Sequence, residues 1–72
     1  MKKCLIIFEK TKTGYSVYVP DLPGCIATGE TKDMAENNIY EAIKIHLEGL
    51  KKENIIIPES KSEAGTLYIR TA

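Results

Sequence analysis

The chain has 72 residues, of which 43% are hydrophobic and 28% charged, and its ten Lys and Arg residues balance ten Asp and Glu residues. This composition indicates one globular domain spanning residues 1–72, and it excludes a disordered chain and a protein that holds nucleic acid by net charge. The longest apolar runs, residues 5–8 and 55–57, are too short for a transmembrane helix or a secretory signal. We therefore expect a cytoplasmic protein with no membrane association.

Three short strands are predicted in the first thirty residues. Residues 3–10 are apolar on both faces of an extended chain, and a glycine-containing loop joins them to residues 15–19, which are rich in β-branched and aromatic side chains. Two such runs with a short loop between them predict a β-hairpin. Residues 20–24, which include two prolines and a glycine, interrupt the second strand, and residues 25–30 form the third.

A helix is predicted from Lys32 to Lys52. Thr31 is suited to cap its first turn, Asp33 places negative charge near the start, and two lysines place positive charge at the end. Apolar or packed side chains recur at helical spacing along one stripe about 140° wide. These are Ala35, Ile39, Ala42, Ile43, His46, Leu47 and Leu50.

The last predicted strand covers residues 66–70, where Leu67 and Ile69 alternate with polar positions and Tyr68. The predicted fold is α+β with the order β-β-β-α-β. A right-handed crossover would place the last strand beside the first, giving a four-stranded mixed sheet of order 3-2-1-4. One helix covers only one face of this sheet, so we expect a second copy to cover the other face in a homodimer or higher oligomer.

No catalytic or metal site is predicted, and no cofactor is expected. Cys4 and Cys25 lack metal-ligand spacing, and structural roles as small hydrophobic side chains are favoured for both. His46 lies in the apolar stripe, which favours a packed histidine over a general base. The first strand carries only one acid, Glu9, so a two-metal hydrolase is disfavoured.

The distinctive stretch is residues 20–24, where two prolines and a glycine fix an exposed loop. Such a loop suits recognition and turning equally well. It opens an acidic segment, residues 20–50, with six acidic residues against two lysines, which suits a basic partner unless the acids only line a solvated helix face. Asp21 either contacts that partner or caps its own turn.

Residues 14–31, which read GYSVYVPDLPGCIATGET, resemble the N-terminal domain of HicB-family antitoxins. Residues 41–48 and Ile57-Pro58 resemble the helix of that domain and the segment after it. The resemblance implies a partial RNase H-like fold and a type II antitoxin that occludes a small basic HicA-like toxin, which cleaves mRNA. Many members continue into a DNA-binding domain. The sequence stops at Ala72, so we expect no C-terminal DNA-binding domain and no direct DNA binding.

The predicted toxin contacts combine the rigid loop with nearby acidic positions. They are Tyr18, Pro20, Asp21, Leu22, Pro23, Glu30, Asp33 and Glu36. The alternative function is an orphan regulatory or RNA-binding module that has the same fold and no toxin. A minimal hydrolase with a degraded RNase H site is the third hypothesis.

Overall fold

The computed structural model describes residues 2–72. It contains three strands and one helix, in the order β1 (Ile7–Lys10), β2 (Tyr15–Tyr18), β3 (Ile26–Gly29) and α1 (Lys32–Lys52). The strands form an antiparallel sheet of order β1-β2-β3. The three strands predicted in the first thirty residues are therefore confirmed, each shorter than the sequence pattern suggested.

The two faces of the sheet differ in what covers them. On one face Val17 of β2 lies opposite Ala27 of β3, and both pack in the hydrophobic core with Ile39 of α1. On the other face Tyr18 lies opposite Ile26, and the Ile26 side chain is 61% exposed. Because successive side chains of a strand point to opposite faces of the sheet, the one helix contacts only the side chains of one face.

The helix prediction is confirmed at both ends. The Thr31 hydroxyl accepts a hydrogen bond from the Met34 amide at 3.1 Å and so satisfies a first-turn donor. Asn38, one turn further, donates its side-chain amide to the Thr28 carbonyl at 2.7 Å, which ties the helix to β3. At the other end Asn54 adopts a left-handed φ of 58°, a conformation that ends helices.

Only the first half of the helix packs deeply on the sheet. Ala35 and Ile39 are buried, whereas His46 and Leu47 further along the same stripe are half-buried. A helix of 21 residues is about 31 Å long, whereas a four-residue strand is only about 14 Å long. The helix is therefore longer than the sheet, and the apolar side chains of its second half are only partly buried against the core.

The predicted fourth strand, and with it the four-stranded sheet of order 3-2-1-4, is wrong. Within residues 53–72, which we call the C-terminal tail, the structure has no strand. Leu67, Tyr68 and Ile69 are between 76% and 97% exposed. Alternating side chains indicate an extended amphipathic segment, but they do not specify a hydrogen-bonding neighbour, and a strand forms only where one is present. The fold of the chain is therefore β-β-β-α, without the strand that the implied RNase H-like sheet required.

Gly29 is required where β3 meets the start of α1. A Cβ atom at this position would lie 2.8 Å from the Ala35 Cα and closer still to the Ala35 backbone nitrogen. Because backbone atoms cannot move aside cheaply, Gly29→Ala is expected to lower the free energy of unfolding by about 1–3 kcal/mol. Gly49→Ala is the control, since a Cβ there meets open space within α1 and should raise stability by about 1 kcal/mol. Urea denaturation of both variants checks this, and equal effects would contradict it.

Candidate protein-binding surface

The loop of residues 20–24 is held in one conformation by its own backbone and by the core. The Leu22 amide donates to the Val19 carbonyl and the Cys25 amide to the Leu22 carbonyl, both at 3.1 Å. Leu22 is buried among core residues, and Gly24 has a φ of 83°, which favours glycine. Leu22 therefore fixes the loop from beneath, while Pro23 stays exposed. The loop is ordered before any partner binds.

Asp21 connects this loop to the C-terminal tail. Its carboxylate accepts hydrogen bonds from the Ser62 hydroxyl at 2.9 Å, the Ser62 amide at 3.3 Å and the Ser60 hydroxyl at 3.4 Å. These donors lie 39 and 41 residues later in the chain, so the bonding differs from the alternative in which Asp21 caps its own turn. Sequence reasoning missed Ser60 and Ser62, because no local pattern signals a contact at that separation. We call this arrangement the Asp21 clasp.

The clasp favours the ionised carboxylate. Desolvation raises the pKa of Asp21, but the hydrogen bonds from Ser62, the Lys61 backbone and Ser60 together outweigh it, so the pKa lies below its ordinary value. A carboxyl group whose pKa is lower in the folded chain than in the unfolded chain stabilises the fold at pH values above its unfolded pKa. That contribution is lost as the pH falls through the folded value. At neutral pH, Asp21 is therefore charged and held in place.

A shallow apolar groove lies next to the loop. It has a volume of about 400 Å³, and its lining includes Tyr18, Pro20, Pro23 and Ile26. Three of these four residues were predicted as contacts. Ile26 was not, although its place directly opposite Tyr18 in the sheet brings it into the groove. The register of β2 against β3 would have indicated Ile26. That register depends on how many residues the loop between the two strands takes up.

The acidic positions predicted as contacts lie at the other end of the sheet. Tyr18 pairs with Ile26 at the loop end, whereas Tyr15 pairs with Gly29, next to Glu30 and the start of α1. Three residue steps along a strand separate the two ends by about 10 Å. Glu30, Asp33 and Glu36 are all exposed, the first directly after β3 and the other two in the first turns of α1. The structure therefore divides the predicted contacts into a loop group and an acidic group.

Residues 2–72 hold no group of three or more His, Cys, Asp or Glu side chains placed to bind a metal ion. Over the same residues, no helix is both long and apolar enough to cross a bilayer. The surface features described above are the loop, the groove and the exposed acidic positions.

The two cysteines differ in environment. Cys25 is buried in the core, whereas Cys4 is half-buried. Burial raises the pKa of the Cys25 thiol, and the neighbouring Cys4 raises it further. Because only the thiolate is a nucleophile, and a raised pKa leaves less thiolate at neutral pH, iodoacetamide should alkylate Cys4 well before Cys25. Peptide mass mapping over time checks this order, and faster labelling of Cys25 would contradict it.

Comparison with known proteins agrees with this description. A family model for the HicB-like antitoxin of bacterial toxin-antitoxin systems matches residues 4–68. UPF0150 protein Ta0767 of Thermoplasma acidophilum is 45% identical over 67 residues, covering 92% of this chain and 97% of its own length. An uncharacterised 14.9 kDa protein of Haemophilus phage HP1 is 44% identical over 55 residues, covering 76% of this chain and 41% of that longer protein.

A solved structure gives the same result at the level of the fold. A chain of the HicA3 and HicB3 toxin-antitoxin complex superposes with a TM-score of 0.65 at 31% sequence identity, covering 82% of this chain and 72% of that one. The part of the chain described is a small β-β-β-α domain. The chain belongs to the HicB-like antitoxin family, and the resemblance seen in the sequence is confirmed.

Proposed function

We propose that this protein is a cytoplasmic antitoxin that binds a HicA-like toxin and occludes the surface with which the toxin cleaves mRNA. The observation that carries the proposal is the similarity, at 31% identity over most of the chain, to a chain of a complex between a toxin and its antitoxin. The family match over residues 4–68 supports the same role. On this proposal the chain acts by binding and catalyses nothing.

The loop group is the primary contact. An interface gains most from apolar side chains that are already exposed and from loops that lose little entropy on binding. Ile26, Pro23 and Tyr18 supply the apolar surface, and the fixed loop with its charged Asp21 supplies a positioned carboxylate. A carboxylate of this kind forms a charge-assisted hydrogen bond with Arg or Lys of a basic partner.

The acidic group has a different task. Because Glu30, Asp33 and Glu36 are exposed and lie at the other end of the sheet, their interactions are screened by solvent and salt. Charges of this kind change the rate of encounter more than the affinity. We infer that they attract a positively charged toxin, and that neutralising them lowers the association rate mainly at low ionic strength.

The test uses a purified HicA-like toxin, a small protein of positive charge. Calorimetry should give a 1:1 protomer ratio, and addition of the protein should stop RNA cleavage by the toxin. Ile26→Ser should weaken binding by about tenfold or more, because it removes a central apolar contact. Ile45→Ser, which changes an isoleucine 70% exposed on α1, is the matched control and should leave affinity unchanged.

Two results would overturn the proposal. One is the absence of binding to the toxin in calorimetry when both proteins are folded. The other is tight, salt-dependent binding of structured RNA by this protein alone, which would favour the regulatory RNA-binding module.

A further inference from the structure

The outer side of β3 presents main-chain groups that the sheet itself does not use. Within residues 2–72, β3 is an outer strand and pairs with β2 alone. The Val19 amide donates to the Cys25 carbonyl at 3.1 Å, so the carbonyl of Cys25 faces β2. Because successive residues of a strand point their N–H and C=O groups to opposite sides, those of Ile26 and Thr28 face away from β2. We call this outer side the β3 edge.

Asn38 of α1 covers one end of the β3 edge. Its side-chain amide donates to the Thr28 carbonyl at 2.7 Å, which agrees with the outward direction of that carbonyl. A strand that adds to a sheet bonds to the outward amides and carbonyls along its path, so a bond already made to one of them limits how far it can pair. Asn38 therefore ends the usable edge at Thr28. The outward groups on the loop side of it are the amide and carbonyl of Ile26 and the amide of Thr28.

The β3 edge is continuous with the apolar groove beside the loop. Ile26 belongs to both, because its main-chain groups lie on the edge and its side chain, 61% exposed, lines the groove with Tyr18 and Pro23. Residues that face each other across two antiparallel strands point their side chains to the same face of the sheet. An apolar side chain placed opposite Ile26 would therefore lie on the open face, next to the groove.

The charge near the β3 edge indicates the kind of segment that fits it. Glu30 directly follows β3 and is exposed, so a negative charge lies just beyond Thr28. A segment with an apolar residue opposite Ile26 and a Lys or Arg near Glu30 matches both the apolar groove and this charge. Such a segment is expected in a protein of positive charge, which is the partner proposed above.

Resting on the function proposed above, we propose that the toxin binds by adding a short extended segment, antiparallel, to the β3 edge. One toxin residue exchanges both of its main-chain hydrogen bonds with Ile26, and the residue two positions earlier accepts a hydrogen bond from the Thr28 amide. The hydrogen bond from Asn38 limits the added strand to the length between Ile26 and Thr28. Main-chain bonding holds the segment, and the groove selects its apolar side chain.

Amide hydrogen exchange, followed residue by residue by NMR on the full chain, tests the main-chain contact. In the free protein the amides of Ile26 and Thr28 should exchange quickly, whereas the Ala27 amide, which faces β2, should exchange slowly. Saturation with a purified HicA-like toxin should slow exchange at Ile26 and Thr28 by at least about tenfold, because both amides then donate within a sheet.

A proline substitution tests the same contact through affinity. Thr28→Pro removes an amide that faces away from β2, and proline is tolerated at such positions of an outer strand. It should weaken toxin binding by about tenfold or more, because it removes a donor and its ring obstructs the added strand. Thr28→Ala keeps the amide and is the matched control, and its affinity should stay within about twofold. Circular dichroism checks that both variants fold.

The outcomes separate this proposal from the function on which it rests. Toxin binding with exchange at Ile26 and Thr28 still fast, or with equal affinity for both Thr28 variants, would overturn strand addition and leave the antitoxin function standing. Absence of toxin binding by the unmodified protein would overturn both. Protection of the two amides in the free protein that rises with its concentration would assign the edge to a second copy and overturn the proposal. If Thr28→Pro does not fold, the exchange measurement on the unmodified protein decides alone.

Discussion

Ile39→Ala should lower the free energy of unfolding by about 2–5 kcal/mol. Ile39 is 1% exposed, and it is one of the two largest side chains that are fully buried. Its removal leaves a cavity between α1 and the sheet, since Val17 across from it belongs to a short strand fixed by backbone hydrogen bonds. Because a 72-residue domain has a stability of only roughly 4–11 kcal/mol, this single change removes a large part of it.

The control for this prediction lies on the same helix. Ile45→Ala deletes the same atoms from a side chain that is 70% exposed, and the change in stability should stay within about 0.5 kcal/mol. Thermal unfolding followed by circular dichroism compares the two, and the Ile39 variant should melt at least about 10 °C lower. Equal melting temperatures would show that α1 does not pack on the sheet as described.

Asp21→Asn should weaken toxin binding by tenfold or more while the domain stays folded. On the proposed function, the carboxylate pairs with a cationic side chain of the toxin, and loss of one partner from a charged pair that binding buries weakens the complex. Asparagine keeps the size of the side chain and one carbonyl oxygen that can still accept from Ser62, but its NH2 group cannot accept the two hydrogen bonds made to the other carboxylate oxygen. The loop should remain in place because its own backbone hydrogen bonds and the buried Leu22 hold it. Calorimetry with the toxin measures the affinity, and thermal unfolding measures the stability.

Ser62→Ala distinguishes a contact from a positioning role for Asp21. It removes the 2.9 Å hydrogen bond to the Asp21 carboxylate but leaves the charge available to the toxin. If Asp21 contacts the toxin, this variant should keep its affinity within about twofold. Equal losses in both variants would show that Asp21 acts by holding the tail. Unchanged affinity in both would place the interface elsewhere.

The parts of the fold that the sequence predicts are those that depend on neighbouring residues. The helix was found because its apolar stripe repeats every 3.6 residues and because Thr31 and the terminal lysines mark its ends. The β1-β2 hairpin was found because a glycine loop joins two runs of strand-forming residues. In each case the interactions that decide the structure lie within a few residues along the chain.

The parts that the sequence did not predict depend on distant residues. Residues 66–70 have a strand pattern, yet whether they pair with the sheet depends on where the tail leaves the body of the protein. The Asp21 clasp determines that position. The predicted contacts were grouped by charge and by nearness in sequence. The register of β2 and β3 separated Glu30 from Tyr18 and brought Ile26 to the groove instead. Register is a property of two strands together, so neither strand alone reveals it.

The Asp21 clasp also has a consequence for the order in which the protein folds. It joins residues 41 apart, whereas the strand pairs and the helix join residues that are close along the chain. Closing a long loop loses more chain entropy than closing a short one, so local contacts form first and the clasp forms after the rate-limiting step. Ser62→Ala should then leave the folding rate in stopped-flow experiments unchanged and accelerate unfolding, since late contacts act on unfolding alone. A slower folding rate in this variant would instead place the tail in the folding nucleus. As the last part to fold, the tail is also the first to detach, and local opening at the clasp can therefore release it while the sheet and helix stay intact.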